Sequence, residues 1–262
     1  MAAVSTPRVS RFFDFRLGLG IPLLLMALLL LLDPSGVDFA LSHLFYEPGQ
    51  GFVGRHSFWL EDILHDRAKQ AVIALGVLAI AGFLLSLLLP RWRAWRRPLG
   101  YLLLSLTLST SIVTPLKALT AVHCPWSLSE FGGAETFTPL LGERAPTDKP
   151  GRCWPGGHAS AGFSLLALFF ALRDSRPRAA RGLLAVALGL GTLFSIGRMM
   201  QGAHFLSHNV WTLLFDWLIC LLCYRWLLYR RPPHGARQWR RQPQPLDAAR
   251  ADGLLNNVFD GG

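Results

Sequence analysis

Charge is scarce in this chain. Only 16% of its 262 residues are Asp, Glu, Lys or Arg, while 52% are apolar. A soluble domain of this size carries about a quarter charged residues, so the shortfall excludes an ordinary soluble globule and favours a polytopic membrane protein. Acidic residues are scarcer still: 16 Asp and Glu face 26 Lys and Arg, for a formal net charge of +10. Such an excess raises nucleic acid as a partner, but the cations fall in short clusters between apolar runs, where anionic lipid headgroups suit them better. No nucleic-acid partner is expected. The chain also lacks an internal repeat and a soluble second domain. After the first apolar run, Asp33-Pro34-Ser35-Gly36 offers no small-x-small cleavage site, which argues for an uncleaved first helix and against a signal peptide. His204 and His208 have no carboxylate or cysteine beside them at zinc-like spacing, so neither a metal nor a cofactor is expected.

What is present is a series of six apolar segments: Leu17 to Leu32, Ala71 to Leu89, Leu99 to Leu119, Ala159 to Leu172, Gly182 to Ile196 and Val210 to Leu228. A helix satisfies its own backbone polar groups in lipid, so the expected fold class is all-α, a polytopic membrane protein of six transmembrane helices. The fourth and fifth segments are near the lower length limit for spanning. Arginines cluster before the first segment (Arg8, Arg11, Arg16), after the second (Arg91, Arg93, Arg96, Arg97), after the fourth (Arg173, Arg176, Arg178, Arg181) and from Arg225 onward. All four clusters share one parity, which places both termini in the cytoplasm by the positive-inside rule. The connection from Asp33 to Gln70 carries Phe39, Leu41, Leu44, Phe45, Phe58, Trp59, Leu60 and Leu64, amphipathic enough to lie along the external surface. Residues 1–231 are thus read as one membrane domain. Residues 232–262, with Pro232, Pro233, Pro243 and Pro245, are read as a disordered cytoplasmic tail.

The chemistry concentrates at the opposite face. Arg198, His204 and His208 lie between segments five and six; if a helix starts near Gln201, the two histidines share a face four residues apart. Lys117 closes the third segment, and Pro155-Gly156-Gly157-His158 opens the fourth. Glycines at a helix start let main-chain N–H groups approach an anion, and the helix N-terminus adds favourable partial charge. Lys, Arg, two His and a glycine turn on one side of the membrane point to a phosphate site. A polar collar of snorkelling side chains is the bland alternative.

At these residues the chain resembles the type 2 phosphatidic acid phosphatase superfamily of integral membrane lipid phosphatases, whose pattern is K-x6-R-P, P-S-G-H and S-R-x5-H-x3-D on a six-helix core. Lys117 and Pro125 match the first motif, with Cys124 for its arginine; Pro155, Gly157 and His158 match the second, with Gly156 for its serine; Arg198 and His204 match the third, with Gly197 for its serine and His208 for its aspartate. The resemblance implies an outward-facing active site on a bacterial inner membrane and a phosphorylated lipid as substrate. In it His204 attacks phosphorus to form a phosphohistidine, and His158 protonates the leaving group and then activates water. Lys117, Arg198 and the amides around Gly156 and Gly157 stabilise the equatorial oxygens. Phosphatidate, phosphatidylglycerophosphate, isoprenyl diphosphates and lipid A phosphates all fit that description. Transfer to a second lipid is the alternative reaction, and a non-catalytic scaffold is the alternative class. Oligomeric state is not legible.

The departures define expectations of their own. With the first arginine gone, Arg152 is the expected substitute donor and Arg144 the second candidate. With the aspartate gone, His208 or Asn209 is expected to accept the imidazole N–H that the aspartate holds in the family. Cys220 and Cys223 lie in the sixth segment and read as packing residues. Cys124 and Cys153 flank Pro125 and Pro155 in the outer loop and can pair in an oxidising compartment, which would tie the first motif to the second and hold Arg152 near the phosphate.

Overall fold

The computed structural model describes residues 10–55, 57, 68–144, 147 and 149–230. The tail 232–262, Arg8, and Phe58, Trp59, Leu60 and Leu64 of the external connection lie outside the described residues. Two units are distinguished, Phe13–Tyr229 and a smaller one made of Met1–Phe12 with Arg230–Gly262. In the smaller unit, Ser10 and Arg230 exchange hydrogen bonds at 2.8 and 3.2 Å.

The larger unit is helical. Helix α1 (Phe15–Leu31) starts where the Asp14 carboxylate accepts from the N–H groups of Arg16 and Leu17, which satisfies two of the donors every helix start leaves open. Helix α2 (Ser35–His43) turns away from α1 by 83°. Helices α3 (Ala68–Leu88), α4 (Arg96–Ser111) and α5 (Val113–Thr120) follow, then α6 (Gly157–Phe163), α7 (Leu166–Leu172), α8 (Pro177–Met200) and α9 (Leu206–Leu227). A two-residue hairpin, β1 (Tyr46–Glu47) with β2 (Gly51–Phe52), is antiparallel.

Burial shows what the bundle is organised around. Helix α9 carries a buried stripe at helical spacing, His208, Thr212, Asp216, Cys220 and Tyr224, and packs against α1, α4, α6 and α7. Around it, α1 and α3 expose Leu24, Leu31, Val77, Leu78 and Leu88, an apolar surface that suits lipid and not water. Helices α6 and α8 approach backbone to backbone. A Cβ on Gly162 would come 2.8 Å from the Leu190 carbonyl carbon and closer still to the Gly191 backbone.

Among the described residues, four helical stretches are long and apolar enough to cross a membrane: Gln70–Leu88, Pro90–Ser127, Pro177–Met200 and Leu206–Leu227. The bent pair α1 and α2, counted together, makes a fifth. The expected fifth segment is therefore longer than its apolar run suggests, because α8 continues through Pro177–Arg181 and Gly197–Met200. The expected fourth segment stays short. Gly157–Leu172 spans 16 residues, roughly 24 Å at 1.5 Å per residue against a hydrocarbon core of about 30 Å.

Above the bundle lies an aromatic cap. Phe39 stacks on Phe131 at 5.6 Å and tilts against Phe205 at 5.3 Å, while Phe52 meets Phe131 at 5.2 Å. Phe205 adjoins His204, so the cap sits on the turn that carries the third motif.

Candidate active site

Lys117, Gly157, His158, Gly197 and Arg198 line one cavity of about 490 Å³. Lys117 comes from the last turn of α5, and a Cβ on Gly157 would stand 3.6 Å from its ammonium nitrogen. The lysine head therefore lies against the glycine turn. His158 follows in the first turn of α6, and Arg198 sits in the last turn of α8, where its guanidinium donates to Gln201 Oε1 at 2.7 Å and lies 5.9 Å from the Trp126 ring. Much of the remaining wall is apolar, including Ile73 and Ile80 of α3, Leu103 and Leu106 of α4 and Phe194 of α8, with Thr107, Thr110 and Thr114 set among them. The lining thus combines two cations with a largely hydrocarbon wall.

The turn between α8 and α9 departs from the expectation of a helix from Gln201. Gln201 ends α8, Gly202 takes φ +70°, and α9 begins only at Leu206. Glycine adopts that left-handed conformation without steric penalty, which makes residue 202 the natural break. His204 therefore lies in the turn and His208 in the helix, with ring centroids 6.0 Å apart and nearly perpendicular.

His204 is 2% exposed and is not among the cavity's lining side chains. Its Nδ1 lies 2.7 Å from the Cys153 carbonyl oxygen. A ring nitrogen facing a carbonyl is a donor, so the proton sits on Nδ1 and the lone pair on Nε2. Burial, then the charges of Lys117, His208, Arg198 and His158, push its pKa well below the ordinary histidine value and keep the ring neutral.

That bond corrects the expected partner of His204. Neither His208 nor Asn209 takes the N–H. The Nδ1 of His208 is buried without a hydrogen-bond partner among the described residues, and its ring lines a second cavity of about 100 Å³ together with Asp33, Asp38 and Trp154. Asn209 donates to the Phe205 carbonyl at 3.0 Å and points Oδ1 at Gly156, where a Cβ would collide with it. Glycine at position 156 thus matches Asn209. The Gly156 N–H is also occupied, donating to the His208 carbonyl at 3.2 Å, so only Gly157 of the two glycines faces the cavity.

Cys124 and Cys153 are joined by a disulfide with Cα atoms 5.1 Å apart, and Cys220 and Cys223 are buried and unbridged. The bridge does not bring Arg152 into the cavity: that side chain is exposed and absent from the lining. Arg144 donates instead to the carbonyls of Thr138, Pro139, Leu140 and Gly142, with the shortest contact 2.8 Å to Pro139. Its guanidinium staples its own loop. Among the described residues, Lys117 and Arg198 are the Lys and Arg side chains that line the cavity.

Two features have no signal in the sequence. Asp38 accepts from the N–H of Ser207 at 2.8 Å and from its hydroxyl, at the start of α9. Ser160 of α6 donates to the Ser109 carbonyl of α4 at 3.1 Å and to Asp216 of α9 at 3.3 Å, tying three helices two residues below His158. Both contacts join residues far apart in sequence, where no periodicity marks a pair.

No curated protein and no solved structure matches the chain. A family described as the PAP2 superfamily does, over residues 98–232. That match takes in just over half of the 262 residues and all three converging segments, so the chain belongs to the PAP2 superfamily.

Proposed function

We propose that the chain removes phosphate from a membrane lipid through a phosphohistidine on His204. Membership of the superfamily implies phosphatase-type activity on phosphate esters. The observation that carries the finer reading is the mixed lining of the cavity, cationic at Lys117 and Arg198 and largely apolar along α3 and α4. A phosphate head with a hydrocarbon chain suits both kinds of lining at once; a soluble phosphate ester uses only the cations.

In this reading Lys117 and Arg198 hold the phosphoryl oxygens, with the arginine fork presenting two parallel donors. The Nε2 lone pair of His204 attacks phosphorus as the bond to the lipid oxygen breaks, and His158 gives that oxygen a proton. Water then loses a proton to His158 and attacks phosphorus, the P–N bond breaks, and inorganic phosphate leaves with the histidine restored. Arg198 also carries Trp126 and Gln201 at its back, which limits the rotamers it must lose on binding.

We further assign six spans, with α1 and the α6 and α7 pair completing the four long ones, both termini cytoplasmic and the cavity's cations near the outer face. Reporters inserted near Gly132 and after Arg225 are expected to read external and cytoplasmic respectively; the reverse pair overturns the assignment.

The function is tested by phosphate release from purified protein in detergent, on phosphatidate, phosphatidylglycerophosphate, an isoprenyl diphosphate and lipid A. Release from at least one is expected, with His204→Ala abolishing both release and the acid-quenched phosphoenzyme. Silence on all four, or a phosphoenzyme in His204→Ala, overturns it.

A further inference from the structure

The Cys124–Cys153 bridge sits where the nucleophile's orientation is decided. His204 Nδ1 and the Cys153 carbonyl meet at 2.7 Å, with the two residues 2% and 4% exposed. In so dry a contact, water does not compete for the N–H, and the one acceptor sets the tautomer.

A loop carbonyl orients a ring only if the loop is itself held. Residue 153 is held on two sides. Its N–H donates to the Val122 carbonyl at 3.0 Å, and its side chain is bonded to Cys124. Gly151 lets the two chain segments lie in contact, since a Cβ there would run into the Val122 carbonyl and the His123 N–H. Two residues past Cys124, Trp126 N–H donates to the Gly202 carbonyl at 2.9 Å, and Gly202 precedes His204 by two. Cys124, Cys153, His204, Gly202 and Trp126 thus belong to one closed circuit of covalent and hydrogen bonds. Without the sulfur bridge, the hydrogen bond from the Cys153 N–H to the Val122 carbonyl is left to close the circuit.

We infer that the Cys124–Cys153 bridge is a positioning element for catalysis: it presses the Cys153 carbonyl onto His204 Nδ1, doing the work of the aspartate that the family motif carries where this chain has His208. The inference rests on the phosphohistidine reading. A carbonyl supplies direction and tautomer but no negative charge, so the imidazole, buried and set among Lys117, His208, Arg198 and His158, stays neutral and attacks as a free base. The chain then acquires an aligned nucleophile only where disulfides persist, which ties its activity to the outer, oxidising side of the membrane.

The test compares native protein with Cys124→Ser/Cys153→Ser, and with native protein treated with a water-soluble phosphine, which takes oxygen from water as the disulfide becomes two thiols. Loss of the bridge is expected to lower kcat and the rate of phosphoenzyme formation by at least about tenfold, because a misdirected imidazole fails in the chemical step, with KM changed less than about twofold. Adding His208→Asp to the bridgeless protein is expected to recover most of the loss, as a merely structural staple would not allow. Unchanged kcat without the bridge, or no recovery with the aspartate, overturns the inference while leaving the phosphatase reading intact. Nitrogen-15 spectra of histidine-labelled native protein give a readout free of turnover and of variant folding. His204 is expected as the Nδ1–H tautomer, and the Nε2–H tautomer overturns the inference. Native protein that shows the Nδ1–H tautomer but releases no phosphate from any lipid refutes the phosphatase reading, and with it any catalytic use of the bridge.

Discussion

The Asp38 carboxylate accepts from both the main-chain N–H and the hydroxyl of Ser207, 169 residues further along the chain. Helix α9 has Phe205 at its N-cap, with no side-chain hydrogen bond of its own. Asp38 therefore supplies from α2, beyond the 83° bend that ends α1, the acceptor that a local Ser or Asp supplies in most helices. The consequence is mechanical, since His204 and His208 flank the capped residue.

Stability is expected to follow the ionisation of Asp38. Burial, with a smaller push from Asp33, raises its pKa from 3.8 to about 6 against the opposing pull of the Ser207 hydrogen bonds. A folded-state pKa above the unfolded one means the folded protein binds the extra proton. The stabilising contribution is thus complete below about pH 4 and is lost as pH rises through about 6, a swing on the order of 3 kcal/mol at most. In Asp38→Asn the amide oxygen still accepts from Ser207 but nothing titrates. Thermal midpoints measured from about pH 4 to about pH 7.5 should show native protein losing stability relative to Asp38→Asn as pH rises through the Asp38 range; parallel curves contradict the assignment.

Restoring the family serine at position 156 is expected to harm this chain. A Cβ at Gly156 meets Asn209 Oδ1 and comes within 3.4 Å of Thr212 Oγ1. Gly156→Ser should destabilise by about 1–3 kcal/mol through overpacking, and Gly156→Ser/Asn209→Ala should regain part of it. A double-mutant cycle on thermal stability reads the coupling, expected between about 0.5 and 3 kcal/mol. Additive effects would show that the two positions do not meet.

Glycines along the bundle are expected to differ in sign. A Cβ on Gly162 has no room against the Gly191 backbone, whereas one on Gly189 meets nothing within 4 Å. Gly162→Ala should push α6 from α8, separate His158 from Arg198, and lower both thermal stability and turnover. Gly189→Ala should be neutral or stabilising by up to about 1 kcal/mol, the helix propensity difference. Equal losses at both sites would argue against the close α6 and α8 approach.

Arg198 and Arg152 are expected to separate cleanly in kinetics. Arg198 lines the cavity and Arg152 is exposed. Arg198→Lys keeps the charge but loses the planar fork and should cost on the order of 10²-fold in kcat/KM. Arg152→Ala should cost far less. The reverse ranking would make Arg152 the substitute for the motif arginine after all.

Much of the site is legible in the amino-acid sequence, for a local reason. Lys117, His158 and Arg198 each lie at the end of an apolar run, and bilayer thickness forces such ends to one of two faces. Their order and spacing then suffice to predict convergence, and they line one cavity. The same logic predicts a membrane bundle, since a run of apolar residues states its solvent. It serves less well where the run and the helix differ: α8 extends past its apolar stretch through Arg178, Arg181 and Arg198, and Gly157–Leu172 remains short.

What the sequence by itself determined is therefore the set of apolar helices, the three motif segments and the chemical types gathered at their ends. Tertiary structure alone decided which atoms serve which. It gave the His204 N–H to the Cys153 carbonyl, kept His208 out of that role, spent Arg144 on its own loop and brought Asp38 to Ser207. The physical reason is range. Hydropathy and spacing act within a few turns of helix, whereas a hydrogen bond between residues 51 or 169 positions apart exists only once the chain has closed on itself, and nothing periodic in the sequence records where it will close.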